Sequence, residues 1–160
     1  MSVPVSSIQD DHLASPFNRI LTAVDGSAAS LRAARVAIEM AAVHHLPLAA
    51  LYVIDEKAVA DMASASGESV EQTRTQLEEK GWRYLEHVAR MAKNHGVNCE
   101  RIMREGLPYR QIADVVRDLG VDLIVIGRRG LQSSRRAFLG SVTERAIEYA
   151  PCSVLVVKSE

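Results

Sequence analysis

The chain predicts an α/β protein, a single doubly wound, five-stranded parallel sheet of Rossmann-like type with helices on both faces. Two observations carry that prediction. Short apolar runs alternate with longer stretches whose apolar residues recur every three or four positions, so strands alternate with helices along the chain. Aromatics are only 4% of the residues while Ala, Val, Leu and Ile are abundant, a composition suited to helices packed on a buried parallel sheet. Strand–helix–strand units of this kind cross over right-handed, which keeps the strands parallel.

Residues 1–17 mix Ser, Asp, Pro and Gln without periodicity and predict a mobile tail, leaving 18–160 as the domain. Residues 19–25 form the first strand, apolar except at its ends. Gly26 and Ser27 turn the chain, and Ser27 is the N-cap type for a helix reaching about His44. Leu31, Ala34, Ile38 and Ala41 give that helix its apolar stripe, and 46–54 is the second strand. Residues 55–69 are small and polar, with Gly67 and three serines; a loop over a ligand and the frayed start of the next helix both fit. That helix runs to about Asn94 with Leu77, Leu85, Val88 and Ala92 inward, and Gly96 stops it. Residues 97–104 alternate as the third strand. Pro108 suits the first position of a helix that buries Ile112, Val115 and Leu119 and ends at Gly120. Residues 121–126 are the fourth strand, 141–149 a helix and 153–158 the last strand.

Bulk properties exclude several classes. Net charge is −1, so nothing global points to nucleic acid or an anionic membrane. No apolar span approaches the length of a membrane helix, and the start lacks a basic region followed by an apolar one, so a soluble, cytoplasmic protein is expected. Cys99 and Cys152 form no C-x-x-C and are read as buried reduced thiols. His44 and His45 are adjacent, point to different helix faces and make a poor chelate, so no protein metal site is expected.

The chemistry concentrates between the fourth strand and the last helix. Gly127-Arg128-Arg129-Gly130 follows the apolar run, and Gly140-Ser141 opens the helix; no Asp or Glu lies between Gly127 and Ser141. Glycines permit φ > 0 and close approach of backbone N–H groups to an anion, and a helix N-terminus adds free donors and a positive dipole end. Strand, glycine loop and helix start together describe a phosphate cradle. Gly127 and Gly130 leave the backbone open, and Gly140 lets a phosphate approach the helix. Ser141 is both an N-cap type and a hydroxyl donor, and Val142 offers a backbone N–H. The competing explanation is an ordinary connection with a solvated basic loop containing Arg128, Arg129, Arg135 and Arg136.

The spacing G-x2-G-x9-G-S resembles the ATP-binding branch of the universal stress protein family. Residues 20–27, ILTAVDGS, resemble that family's first strand and turn, and Leu51-Tyr52-Val53-Ile54-Asp55 its second strand. Gly106-Leu107-Pro108 resembles the turn before its third helix, and residues 150–157 its last strand. The resemblance implies strand order 3-2-1-4-5, so that Asp25 and the Gly127 loop converge at the crevice where strand order reverses. It further implies a bound adenine nucleotide, with Asp25 near the ribose or adenine, Val53 lining the base, and a backbone contact at Ala23, where many relatives have Pro. Ile126, Gly127, Arg128, Gly130, Gly140, Ser141 and Val142 complete the expected site, with Arg136 where the family often has a basic residue. Ser133 departs from the pattern, since a third glycine is common there. The last strand is apolar and β-branched, and an edge strand of that kind invites pairing; the resemblance points to the same homodimer.

Three readings of function remain open at this point. The preferred one is a regulatory protein that holds ATP with Mg²⁺ and has no catalytic residue of its own. The others are an enzyme, at most a slow ATPase, and a scaffold homodimer that binds no nucleotide. Against an enzyme, the chain has no G-x-x-x-x-G-K-[ST], no G-x-G-x-x-G and no S-G-G-x-D-S.

Overall fold

The computed structural model describes residues 14–131 and 138–158. Strands β1 (Ile20–Ala23), β2 (Leu48–Asp55), β3 (Cys99–Gly106), β4 (Leu123–Gly127) and β5 (Ser153–Val157) form one sheet, ordered β3-β2-β1-β4-β5. Every pairing is parallel. The expected doubly wound sheet is therefore present, with its reversal between β1 and β4. Helices α1 (Ala28–His44), α2 (Glu56–Ser66), α3 (Val70–Asn94), α4 (Pro108–Leu119) and α5 (Ser141–Tyr149) fill the crossovers.

Alternation along each strand divides the core in two. Ile20, Val24, Ala50, Tyr52 and Val125 face α1 and α3. Leu21, Ala49, Leu51, Ile124 and Ile126 face α4 and α5. Ile20, Leu21, Leu51 and Ile124 are fully buried, and each such side chain contributes about 1.5–3 kcal/mol. The central strands are thus anchored far below the sheet's upper rim, where the loops are.

The structure shifts several expected boundaries. β1 stops at Ala23, so Asp25 stands past the strand in the turn. β2 and β3 each begin and end later than the apolar runs suggest, because paired register rather than hydropathy sets their ends. Residues 56–66 are neither loop nor frayed helix start but a separate helix. Asp55 caps it by accepting a hydrogen bond from the Lys57 N–H at 3.0 Å, Val59 and Ala63 are buried one turn apart, and Gly67 ends it in the left-handed region at φ 73°. On α3, Leu77 is only half-buried, while Gly81 is buried because the Tyr52 ring of β2 lies where its side chain would be. Leu119 is likewise half-buried at the end of α4.

Phe17, placed in the tail by its sequence, packs against the α1–α3 side of the core, and residues 1–13 lie outside the described residues. Asp122 fixes this entry to the sheet by accepting hydrogen bonds from the Asn18 and Arg19 N–H groups and Asn18 Nδ2. Partial burial pushes its carboxyl up, but those hydrogen bonds outweigh burial and hold it below the usual carboxylate range. Cys99 and Cys152 are free thiols and half-buried; burial pushes Cys99 up to about 11, where it is an inert thiol. Among the described residues, no helix is long and apolar enough to cross a membrane.

Candidate functional site

A cavity of about 290 Å³ opens above the C-terminal ends of β1, β2 and β4, at the reversal of strand order. Its floor is formed by Ala23 at the end of β1, Val53 on β2, and Ile126 and Gly127 on β4. One side is the glycine loop and the first turn of α5, with Gly130, Gly140, Ser141 and Val142 on the wall. The opposite side is an apolar wall from α2 and α3, with Met62, Leu77 and Tyr84, interrupted by Lys80. Pro108 and Ile112 of α4 close the third side.

Asp25 ties the floor to the loop. Its Oδ1 accepts from the Ser27 N–H at 2.9 Å and its Oδ2 from the Leu131 N–H at 2.8 Å. The carboxylate therefore serves the turn while also lining the cavity. Ser27 caps α1 by accepting from the Ser30 N–H at 3.1 Å. The Tyr84 ring lies over Gly26, whose φ of 86° suits glycine and whose place a side chain would dispute with the ring. Tyr52 stacks on Tyr84 at 6.3 Å between ring centroids. Burial first, then Tyr84 and Asp25, push the Tyr52 phenol above its ordinary value.

The glycine loop is built for space rather than for left-handed backbone, which corrects the expectation of φ > 0. None of Gly127, Gly130 and Gly140 has a positive φ. A Cβ on Gly127 would stand 3.0 Å from the backbone of Ala29, so this glycine lets the start of α1 approach β4. A Cβ on Gly130 would overlap Asp25 Oδ2, and one on Gly140 would lie 3.2 Å from Arg129 Cα. The turn is then locked: the Gly140 N–H donates to the Arg128 carbonyl at 2.8 Å, and Thr143 Oγ1 donates to the Gly127 carbonyl at 2.8 Å.

The cap of α5 also differs from expectation. Gly140, not Ser141, is the N-cap, Ser141 is the first helical residue, and no side chain among the described residues caps the helix. First-turn N–H groups of Ser141, Val142 and Thr143 thus lack an intrahelical acceptor and a side-chain cap, and these residues line the cavity. Arg128 is not on the wall. Its guanidinium lies 5.6 Å over the Phe138 ring, while its neighbour Arg129 lines the cavity instead. Arg136, Arg135 and Ser133 lie outside the described residues. Sequence reasoning missed Tyr84, Met62, Leu77 and Lys80, all contributed by α2 and α3; Tyr52 and Leu77 were read only as strand and core.

What the arrangement offers is an apolar slot joined to a patch of backbone donors at a helix start, with one carboxylate at the junction. Uncapped donors beside glycines suit an anion, and the flat apolar slot suits a ring. Among the described residues no group of three or more His, Cys, Asp or Glu is placed to hold a metal ion.

The model of the universal stress protein family matches residues 16–158. The chain is 37% identical over 143 residues to universal stress protein MJ0531 of Methanocaldococcus jannaschii, covering 89% of this chain and 82% of that protein. It is 31% identical over 148 residues to universal stress protein YxiE of Bacillus subtilis, covering 89% and 99%. Among solved structures it resembles MJ0577, with TM-score 0.77 and 26% identity over 89% of this chain and 96% of that one. Other resembling structures are a universal stress protein solved with cAMP, TM-score 0.67 at 22% identity over 90% of this chain and 98% of that one, and one from Arabidopsis thaliana with AMP bound, TM-score 0.63 at 21% over 89% and 92%. With the family model spanning nearly the whole domain and relatives above 30% identity along their length, the chain belongs to the universal stress protein family.

Proposed function

We propose that the cavity binds an adenine nucleotide, ATP with Mg²⁺, and that the protein is a cytoplasmic stress-response regulator rather than a dedicated enzyme. The observation that carries this reading is the start of α5: its N-cap is Gly140, no side chain among the described residues caps its first-turn N–H groups, and Ser141, Val142 and Thr143 line the cavity beside Gly130. Phosphates would take those donors, with Ser141 adding its hydroxyl and Arg129 its charge. Adenine would lie in the apolar slot against Val53, near Ala23. Mg²⁺ would be carried on the phosphates with Asp25 as the wall carboxylate, where it would neutralise the charge between them. The cAMP and AMP complexes of family members support the adenine part.

One observation favours the scaffold reading. Asp25 Oδ2 already accepts the Leu131 N–H, so the loop is closed on the protein's own carboxylate. A thermal scan separates the two. A ligand binding only the native state at about 100 times its Kd stabilises by ~2.7 kcal/mol, which for a chain of this size raises Tm by roughly 5–10 °C. No shift with millimolar MgATP would favour the scaffold.

The assembly proposed with this function is a homodimer through β5. Among the described residues that strand lies at the sheet edge, pairs only with β4, and leaves Leu155 37% exposed. Antiparallel pairing with its copy would satisfy the open row of backbone groups. Val156→Pro removes a donor in that row, since Val157 and with it Leu155 turn their backbone groups to β4, and should give a monomer in sedimentation; a wild-type monomer would overturn the pairing.

A further inference from the structure

The geometry points to a second recognition surface, on the outer face of α4 and α5, that docks an acidic peptide segment of a partner protein. Four side chains build it. The rings of Tyr109 on α4 and Tyr149 on α5 lie 5.5 Å apart between centroids. The guanidinium of Arg145 sits over Tyr109 at 4.8 Å, and that of Arg110 at 5.9 Å. The two arginines pull the Tyr109 phenol below its ordinary value, Arg110 the more strongly. Two cations therefore converge on one aromatic pair, of which Tyr109 is half-buried and Tyr149 exposed.

Charge complementarity decides what fits there. The other acids and bases of α4 are matched: Asp114 holds Arg117 at 3.5 Å, and Asp118 holds Arg104 at 3.3 Å. Arg110 and Arg145 pair with no carboxylate among the described residues. Their contacts to the ring are exposed and individually weak, so a carboxylate can recruit either fork without breaking the fold. Next to them Tyr149, one turn after Arg145 on the same face of α5, is 52% exposed. Arginines gathered around an exposed tyrosine ring are the composition of protein interfaces. A bare anion would leave that apolar area unused. A nucleic acid would need many more phosphate contacts than two arginines supply. A peptide alternating carboxylates with apolar side chains uses both.

The surface is also joined to the cavity. Tyr109 directly follows Pro108, and Arg145 lies one turn after Ser141; Pro108 and Ser141 are both cavity-wall residues. The partner would therefore sit beside the cavity on the same two helices, whatever the cavity holds.

The test is fluorescence anisotropy with a labelled peptide of alternating glutamate and leucine, against the same peptide with glutamine and with lysine in place of glutamate. The glutamate peptide should bind wild type, and Arg110→Gln with Arg145→Gln should weaken it at least about tenfold. Tyr149→Ala should weaken it less, and amide shifts on binding should map to α4 and α5. Arg110→Glu with Arg145→Glu should exchange the preference for the lysine peptide, which also shows that the altered face remains folded. Absence of binding by the glutamate peptide, equal binding of the glutamine peptide, or amide shifts mapping elsewhere would overturn the proposal. So would displacement by equimolar inorganic phosphate, which would make this a simple anion site. A change of oligomeric state in the double glutamine variant would instead assign the face to a second copy of the chain.

Discussion

At the start of α3, Ser69 accepts the Gln72 N–H at 3.1 Å and Gln72 Oε1 accepts the Ser69 N–H at 3.1 Å, closing a capping box on solvent. At the start of α5 the cap is Gly140, with no side chain to offer, and the open donors face a cavity. Both helices need their first-turn N–H groups satisfied. The first does it from its own sequence, and the second leaves the task to something else. α1 and α2 follow the first pattern through Ser27 and Asp55. A missing cap costs about 1 kcal/mol, little beside the burial of the central strands, so the fold tolerates an open start where a ligand is to sit.

Closing the open start should break the site without breaking the fold. Gly140→Asp places a carboxylate on those donors, and nucleotide affinity is expected to fall roughly a hundredfold, equivalent to ~2.7 kcal/mol. Its stability should change little, since the gained cap offsets the 3.2 Å approach to Arg129 Cα. Calorimetric binding and thermal melting of the same preparation check both halves.

Gly127 should behave in the opposite way. Gly127→Ala forces a methyl against the Ala29 backbone at 3.0 Å, so unfolding in urea should show a loss of about 1–3 kcal/mol with or without nucleotide. Ser69→Ala opens the capped start and should cost about 1 kcal/mol, or roughly 2–4 °C in Tm, while leaving nucleotide affinity alone. If Ser69→Ala weakened nucleotide binding, the two starts would not be independent.

The smallest expected effect is a pH dependence. Asp122 has its folded pKa depressed, so its contribution is complete above the unfolded value of about 3.9 and is lost as pH falls through the folded one. Asp122→Asn should therefore lower stability at neutral pH by at most about 1 kcal/mol, given its exposure, and the gap to wild type should close as pH falls through the depressed folded value. Chemical denaturation at neutral and acid pH reads it directly.

How far the sequence carried can be judged from particular elements. β4 and α4 were legible because one is an unbroken apolar run and the other is bracketed by Pro108 and Gly120. α2 was not, since only Val59 and Ala63 of its eleven residues are buried and its cap, Asp55, is also the last residue of a strand. At the site, spacing picked out the three loop glycines and the family resemblance added Asp25, and all four line one cavity. It misjudged why the glycines are there, because close approach by Ala29, Asp25 and Arg129 is a tertiary fact. It chose Arg128 where Arg129 lines the cavity, since which neighbour turns inward depends on the loop's path. The α2–α3 wall was invisible for the same reason: its register follows from Gly81 meeting Tyr52.

The most direct test of the account is a calorimetric titration of MgATP into wild-type protein stripped of co-purifying ligand, run beside Gly140→Asp. Saturable heat corresponding to one nucleotide per chain in wild type, and none in the variant, is the predicted result. No heat in wild type, or equal affinity in the two proteins, would contradict it.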